Sequence, residues 1–210
     1  MKLLVCMLAT VSAFAQMPTS KGVNFYSVER EIALGKVAAE TLKARVSVVH
    51  DAVVDSYLES LGRELKPTDS VFEYRFVTYK GKQLDGVDEI RVLPGGTMFI
   101  SLQTLVDATT DTSIATKVAH AIAHIELRHA TRMDTRIQIV GNAPTSPVAI
   151  FVNDQTVLFG AQADGLPRNA TTKAFEKDAD KVAAVYVSKR QENTTGFEVA
   201  RNAAKTALER

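Results

Sequence analysis

The chain has 210 residues, 46% hydrophobic and 23% charged, which suits one globular domain with a sizeable core and argues against disorder. Its 25 Lys and Arg against 24 Asp and Glu leave a formal net charge of +1, so there is no broad electrostatic case for nucleic acid or an anionic membrane as a partner. The single cysteine, Cys6, lies in the first apolar run, which leaves the rest of the chain without a disulfide framework, a thiolate metal site or a cysteine nucleophile.

Residues 1–15 read as an export signal. Lys2 supplies the positive start, Leu3 to Ala15 form an apolar run too short to span a bilayer comfortably, and Ala13-Phe14-Ala15 before Gln16 gives a small-x-small cleavage pattern. A buried or membrane-spanning helix is the competing reading of that run. Cleavage there leaves no stable membrane span. Residues 16–26 read as a linker and 27–210 as a single domain.

A helix starts at Ser27 as N-cap, with Glu29 and Glu31 in its first turn and Val28, Ile32, Ala39, Leu42 and Val46 at helical spacing. A second runs from Asp51 to Leu65, with Val54, Tyr57, Leu58, Leu61 and Leu65 as its buried stripe and Pro67 as its stop. Phe72 to Tyr79 alternates as a half-buried strand, Glu89 to Leu93 is a second strand, Pro94-Gly95-Gly96 is a tight turn, and Thr97 to Leu102 is a third strand. The longest helix is expected from Asp111 to Ile139, with Ile114, Val118, Ala121, Ile122 and Ile125 on its core face. Residues 141–172 form a long mixed segment holding short strands or a flap. Helices over Ala174–Lys189 and Gly196–Arg210 close the chain.

His120 and His124 are one helical turn apart, which aims both imidazoles at one spot. Two neutral imidazoles and one carboxylate are a standard donor set for a catalytic zinc with an open position. Two ordinary helix histidines are an equally good reading of the pair alone. Glu176 and Asp180 share a face of a later helix, where Glu176 can reach a metal and Asp180 can orient a ligand imidazole. A solvated acidic face is the plainer account of that run.

Taken in order, these segments resemble the zinc metallopeptidase family of the CAAX prenyl protease and the HtpX-type membrane protease, closest to its small exported bacterial members. Phe25 to Gly35 resembles the family's opening helix and Asp51 to Leu65 its second. Leu93-Pro94-Gly95-Gly96 resembles the segment before the metal helix. His120, His124, Arg128-His129 and Arg132 resemble the metal helix itself, and Glu176 to Asp180 resembles the ExxxD motif. The resemblance implies an α+β, mainly helical zincin-like domain with a small antiparallel sheet beside the metal helix. It implies one Zn2+ per chain on His120, His124 and Glu176, with Asp180 behind the ligands. His129, about half a turn around from His120, reads as a structural polar contact. Thr97, Met98, Phe99 and Ile100 are the candidate strand for pairing with an extended or unfolded polypeptide. The location implied is exported, periplasmic or secreted.

The family's pattern breaks at the residue after the first histidine. Glutamate there takes a proton from metal-bound water, but this chain has Ala121, which carries none. The Asn-Ala pair usual before Leu-Pro-Gly-Gly is missing, Ser113 stands where an acid is usual, and no histidine follows Glu176. Arg190 and Arg201 are the remaining candidates for stabilising an oxyanion. Asp154 and Asp164 are the remaining acids that could reach in. The expectation is a metalloendopeptidase-like envelope protein impaired in catalysis. The alternatives are a slow zinc endopeptidase acting on misfolded envelope proteins and a non-catalytic peptide-binding or structural domain.

Overall fold

Ser27 opens the first helix as its composition requires, its hydroxyl accepting the Arg30 backbone N–H at 3.2 Å. In the computed structural model, which describes residues 22–81, 90–141 and 168–210, this helix is α1 (Val28–Lys43). It stops short of Val46, which leads into the short strand β1 (Ser47–Val48). Asp51 caps α2 (Ala52–Leu65), its carboxylate accepting the Val53 and Val54 N–H groups at 3.0 and 3.2 Å. The expected stripe of Val54, Tyr57, Leu58, Leu61 and Leu65 is buried.

The strands are β2 (Arg75–Lys80), β3 (Ile90–Val92) and β4 (Thr97–Ser101), in the order β1-β2-β4-β3. The class is α+β and mainly helical, as expected, but the sheet is mixed rather than antiparallel. β3 and β4 form an antiparallel hairpin through Pro94–Gly96, and the hairpin joins the sheet by β4, which therefore runs parallel to β2. This placement corrects the expectation for Thr97, Met98, Phe99 and Ile100. Arg75 to Tyr79 pair with one side of β4 and Ile90 to Val92 with the other, so this strand has no edge to offer a peptide. All five of its residues are buried, consistent with an interior strand. The outer strand on that side is β3, which packs beside the histidine helix.

The hairpin turn is seated by close backbone approach. Gly95 has φ +76°, and a Cβ at Gly35 on α1 would stand 1.7 Å from the Pro94 carbonyl oxygen. Gly35→Ala is expected to force α1 off the turn at a cost of about 1–3 kcal/mol, measured as a lower denaturation midpoint with an unchanged slope.

Beyond β4 the chain turns at once into a short helix that alternation did not signal. Ser101 ends the strand and caps α3 (Leu102–Asp107), its hydroxyl accepting the Gln103 N–H at 3.2 Å. A capping box of Thr110 and Ser113 starts α4 (Asp111–Glu126). The single helix expected over 111–139 is two helices, because the backbone breaks at Arg128, with φ 55°, before α5 (His129–Gly141). Arg128 is drawn out of helical register by Glu31, its Nε donating to Oε2 at 2.6 Å, and by the Tyr26 carbonyl, which accepts from NH2 at 2.7 Å. The last helices are α6 (Arg168–Ser188) and α7 (Thr194–Glu209), with Asn193 capping α7.

α4 is the spine of the main core. Its Ile114, Val118, Ile122 and Ile125 are buried with Leu58 and Leu61 of α2, Ala179 and Val182 of α6, and Phe197 and Ala204 of α7. A smaller core joins Leu34, Ala38 and Leu42 of α1 to Val77, Tyr79 and Phe99 of the sheet. The export signal expected over 1–15, the linker residues 16–21 and the segments 82–89 and 142–167 lie outside the described residues. Among the described residues no helix is long and apolar enough to cross a membrane.

Candidate metal centre

α4 and α6 pack lengthwise and bring the sequence-distant candidates together. The Nε2 atoms of His120 and His124 are 3.0 Å apart. Glu176 Oε2 lies 3.1 Å from the first and 3.4 Å from the second. Ligands about 2.0–2.2 Å from a tetrahedral ion stand roughly 3.3–3.6 Å from one another, so this triangle is close to one face of such a coordination shell.

Hydrogen bonds on the far side of each ring fix what the near side offers. Asp180 Oδ1 lies 3.0 Å from His120 Nδ1. A carboxylate accepts, so in a neutral ring that donates from Nδ1 to Asp180, Nε2 is left as a lone pair for a metal. His124 Nδ1 lies 3.1 Å from His129 Nδ1. Burial first, then the neighbouring His124 and Arg132, push the His129 pKa down to about 3, so this ring is neutral and, as the tautomer protonated on Nε2, can accept from His124 Nδ1–H. His124 Nε2 is then a lone pair as well. In these tautomers three acceptor atoms from two helices face one point, and that is an arrangement for a cation. His120, His124 and Glu176 can together hold a metal ion.

The electrostatics agree. With no ion bound, Nε2–H groups of protonated His120 and His124 donate to Glu176 and hold its carboxyl well below the usual carboxylate range. Glu176, in turn, raises the His120 pKa against the opposing effect of burial. Each group favours the charge of the other, so without an ion a proton balances Glu176 at the point where a bound cation would stand.

Phe175, next in sequence to Glu176, seats α6 against α5. Its buried ring stacks on His129 at 4.2 Å and 11°, and the Arg136 guanidinium lies 4.6 Å from its centroid. The reading of His129 as a structural contact agrees with this placement. Phe175 and Arg136 were not singled out from the sequence. An aromatic residue directly before a candidate ligand was the available signal.

The other candidates are placed elsewhere. Ala121 is 2% exposed and belongs to the main core. Glu126 accepts hydrogen bonds from Ser70 and Tyr74 at 2.6 and 2.5 Å, away from the histidine face. Arg190 is bound to Asp111 and Glu64 at the opposite end of α4, and Arg201 donates to the Val106 carbonyl at 3.0 Å, so neither cation stands at the histidines. Asp154 and Asp164 lie outside the described residues. No protein-family model matches the chain, and no curated protein matches it.

Proposed function

We propose that this chain is a zinc-binding protein of metallopeptidase ancestry, exported to the cell envelope, that binds extended or unfolded polypeptide and is impaired in cleaving it. The observation that carries the reading is the convergence of three potential ligand atoms from His120, His124 and Glu176, each imidazole with a partner behind it. Two imidazoles and a carboxylate, leaving an open position, are the donor set of catalytic zinc sites. His120, His124 and Glu176 would hold the ion, whose chemistry is Lewis-acid polarisation of a carbonyl and acidification of bound water.

The residues of the chain account for the rest. Asp180 and His129 hold the ligand rings in one tautomer and one orientation. Phe175 keeps Glu176 at the right height on α6 through its stack on His129. At the position where a peptidase moves a proton, Ala121 has no group to move it. Loss of such a base costs about 10²–10⁴ in rate. Among the described residues every acid near the histidines is occupied, Glu176 by the imidazoles and Asp180 by His120 Nδ1. A site that keeps its ligands and loses its base is suited to holding a polypeptide carbonyl rather than hydrolysing it.

The test is cleavage of an unfolded casein-like substrate by zinc-loaded protein. The unaltered chain is expected to give negligible turnover, and Ala121→Glu to give a gain of about 10²-fold or more. The Tm of the variant is measured alongside, because residue 121 is buried and the new carboxylate must emerge into the cleft. Robust zinc-dependent cleavage by the unaltered chain would overturn the impaired reading in favour of an active endopeptidase.

A further inference from the structure

Helix α5 carries Arg132 and Arg136 one turn apart, so both leave the same face, and Arg128 lies at the break just before it. Arg128 is matched by Glu31. Arg132 is only 6% exposed, and its NH2 donates to the Gly22 carbonyl at 3.3 Å. Arg136 lies over the Phe175 ring. Neither Arg132 nor Arg136 has a carboxylate within ion-pair distance among the described residues. Burial first, then the charges of Arg136 and Arg128, lower the Arg132 pKa, so the charges that act on this guanidinium are positive.

Holding a guanidinium out of water beside a second one, with no anion, is unfavourable. Such a pair favours an anion supplied by a ligand. The location is informative too. Phe175 lies between this pair and the metal centre, since its ring touches both Arg136 and His129 and its neighbour in sequence is Glu176.

We infer that Arg136, backed by Arg132, forms a carboxylate-binding subsite adjoining the metal centre, which takes the chain-terminal carboxylate or an acidic side chain of a bound polypeptide. Arg136 makes the contact through its half-buried planar fork, which matches a carboxylate in two parallel hydrogen bonds. Arg132, behind it, contributes positive potential. The choice of polypeptide rests on the function proposed above, whereas the choice of carboxylate rests on the arginines alone.

The experiment measures binding to the zinc-loaded full chain by fluorescence polarisation. Three labelled, unstructured hexapeptides are compared: one with a free carboxy terminus, its amide, and the amide with one internal glutamate. Charge-assisted hydrogen bonds of this kind predict binding about 10-fold or more tighter for a carboxylate-bearing peptide than for the plain amide. Preference for the free terminus identifies the terminal carboxylate as the ligand, and preference for the glutamate identifies the side chain. The difference should vanish in Arg136→Gln and partly survive in Arg136→Lys, neither of which disturbs the buried Arg132. Equal binding of all three peptides overturns the subsite. If no peptide binds, N-acetylalanine decides. A rise in Tm for the native chain and none for Arg136→Gln keeps the subsite and removes the polypeptide reading, while no rise in either removes both.

Discussion

Glu176→Ala, like His120→Ala, is expected to lower bound zinc from about one ion per chain to less than about a tenth, with the helical content unchanged. The three donor atoms lie within 4.8 Å of one another, so removing one leaves two corners of a triangle and no enclosing site. Each is at least partly exposed, with His124 the most covered at 16%, so their loss leaves no unpaired charge sealed in the core. The supporting residues should behave differently. Asp180→Ala and His129→Ala keep all three ligands and lose the hydrogen bond that orients one ring, for which roughly 10–100-fold weaker metal affinity is expected. Elemental analysis after gel filtration reads the first effect and competition with a chromophoric chelator reads the second. A chain that carries no zinc, and whose metal-free form gains no Tm on adding it, would remove the site and with it the metallopeptidase reading.

The same residues set the sign of the pH dependence. In the metal-free chain the His120 pKa is raised above its ordinary 6.5, so its contribution to stability is fully present below that value and is lost as pH rises through the raised pKa. The Glu176 pKa is lowered from its ordinary 4.5, so its contribution is present above that value and is lost as pH falls through the lowered one. Their mutual stabilisation is therefore greatest between 4.5 and 6.5. Metal binding runs the other way, because it requires neutral imidazoles. The Tm gain on adding zinc is expected to shrink between about pH 8 and pH 5.5, while the metal-free Tm gains the His120–Glu176 term.

What could be read in the sequence followed from locality. His120 and His124 share a helix, and their convergence follows from its pitch alone. The caps at Ser27 and Asp51 and the stripe of α2 are local in the same sense. Glu176 and Asp180 were legible only through the order of motifs, since nothing in α6 itself says that it packs along α4. The break at Arg128 was hidden for a different reason. No glycine or proline marks it, and its cause, the Glu31 carboxylate, is 97 residues away. Sheet order was hidden because the β3–β4 hairpin can join β2 by either strand with the same alternation. That choice decided whether Thr97–Ile100 would be an edge or an interior strand, and the unbroken apolar run Met98-Phe99-Ile100 was the trace it left. The spacing of Arg132 and Arg136 on α5 is regular in sequence, but that no carboxylate among the described residues pairs with them is a tertiary fact.

Asp111→Ala is expected to cost about 3–5 kcal/mol of stability. The Asp111 carboxylate is fully buried at the start of α4. It accepts from Tyr57 Oη of α2 at 2.7 Å, from Arg190 at 2.5 and 3.1 Å beyond α6, and from the Asn193 backbone N–H at 2.7 Å before α7. Four helices thus meet on one side chain. Burial pushes its pKa up, but Arg190, Tyr57 and the Asn193 amide outweigh burial and hold it below the ordinary 3.8. By linkage this contribution is present above pH 3.8 and is lost as pH falls through the lowered value. Removing the carboxylate strands the Arg190 side chain, 4% exposed, with Glu64 as its remaining partner. Asp111→Asn, which keeps the shape and one acceptor, should cost less, and Asp111→Leu combined with Arg190→Met should recover much of the loss by removing both charges together. Urea denaturation measures the series. Asp111 lies nine residues before His120, roughly 13 Å along the helix, so the folded fraction of each variant should still bind zinc. A variant that unfolds easily yet binds metal normally when folded separates the structural end of α4 from its metal-binding end.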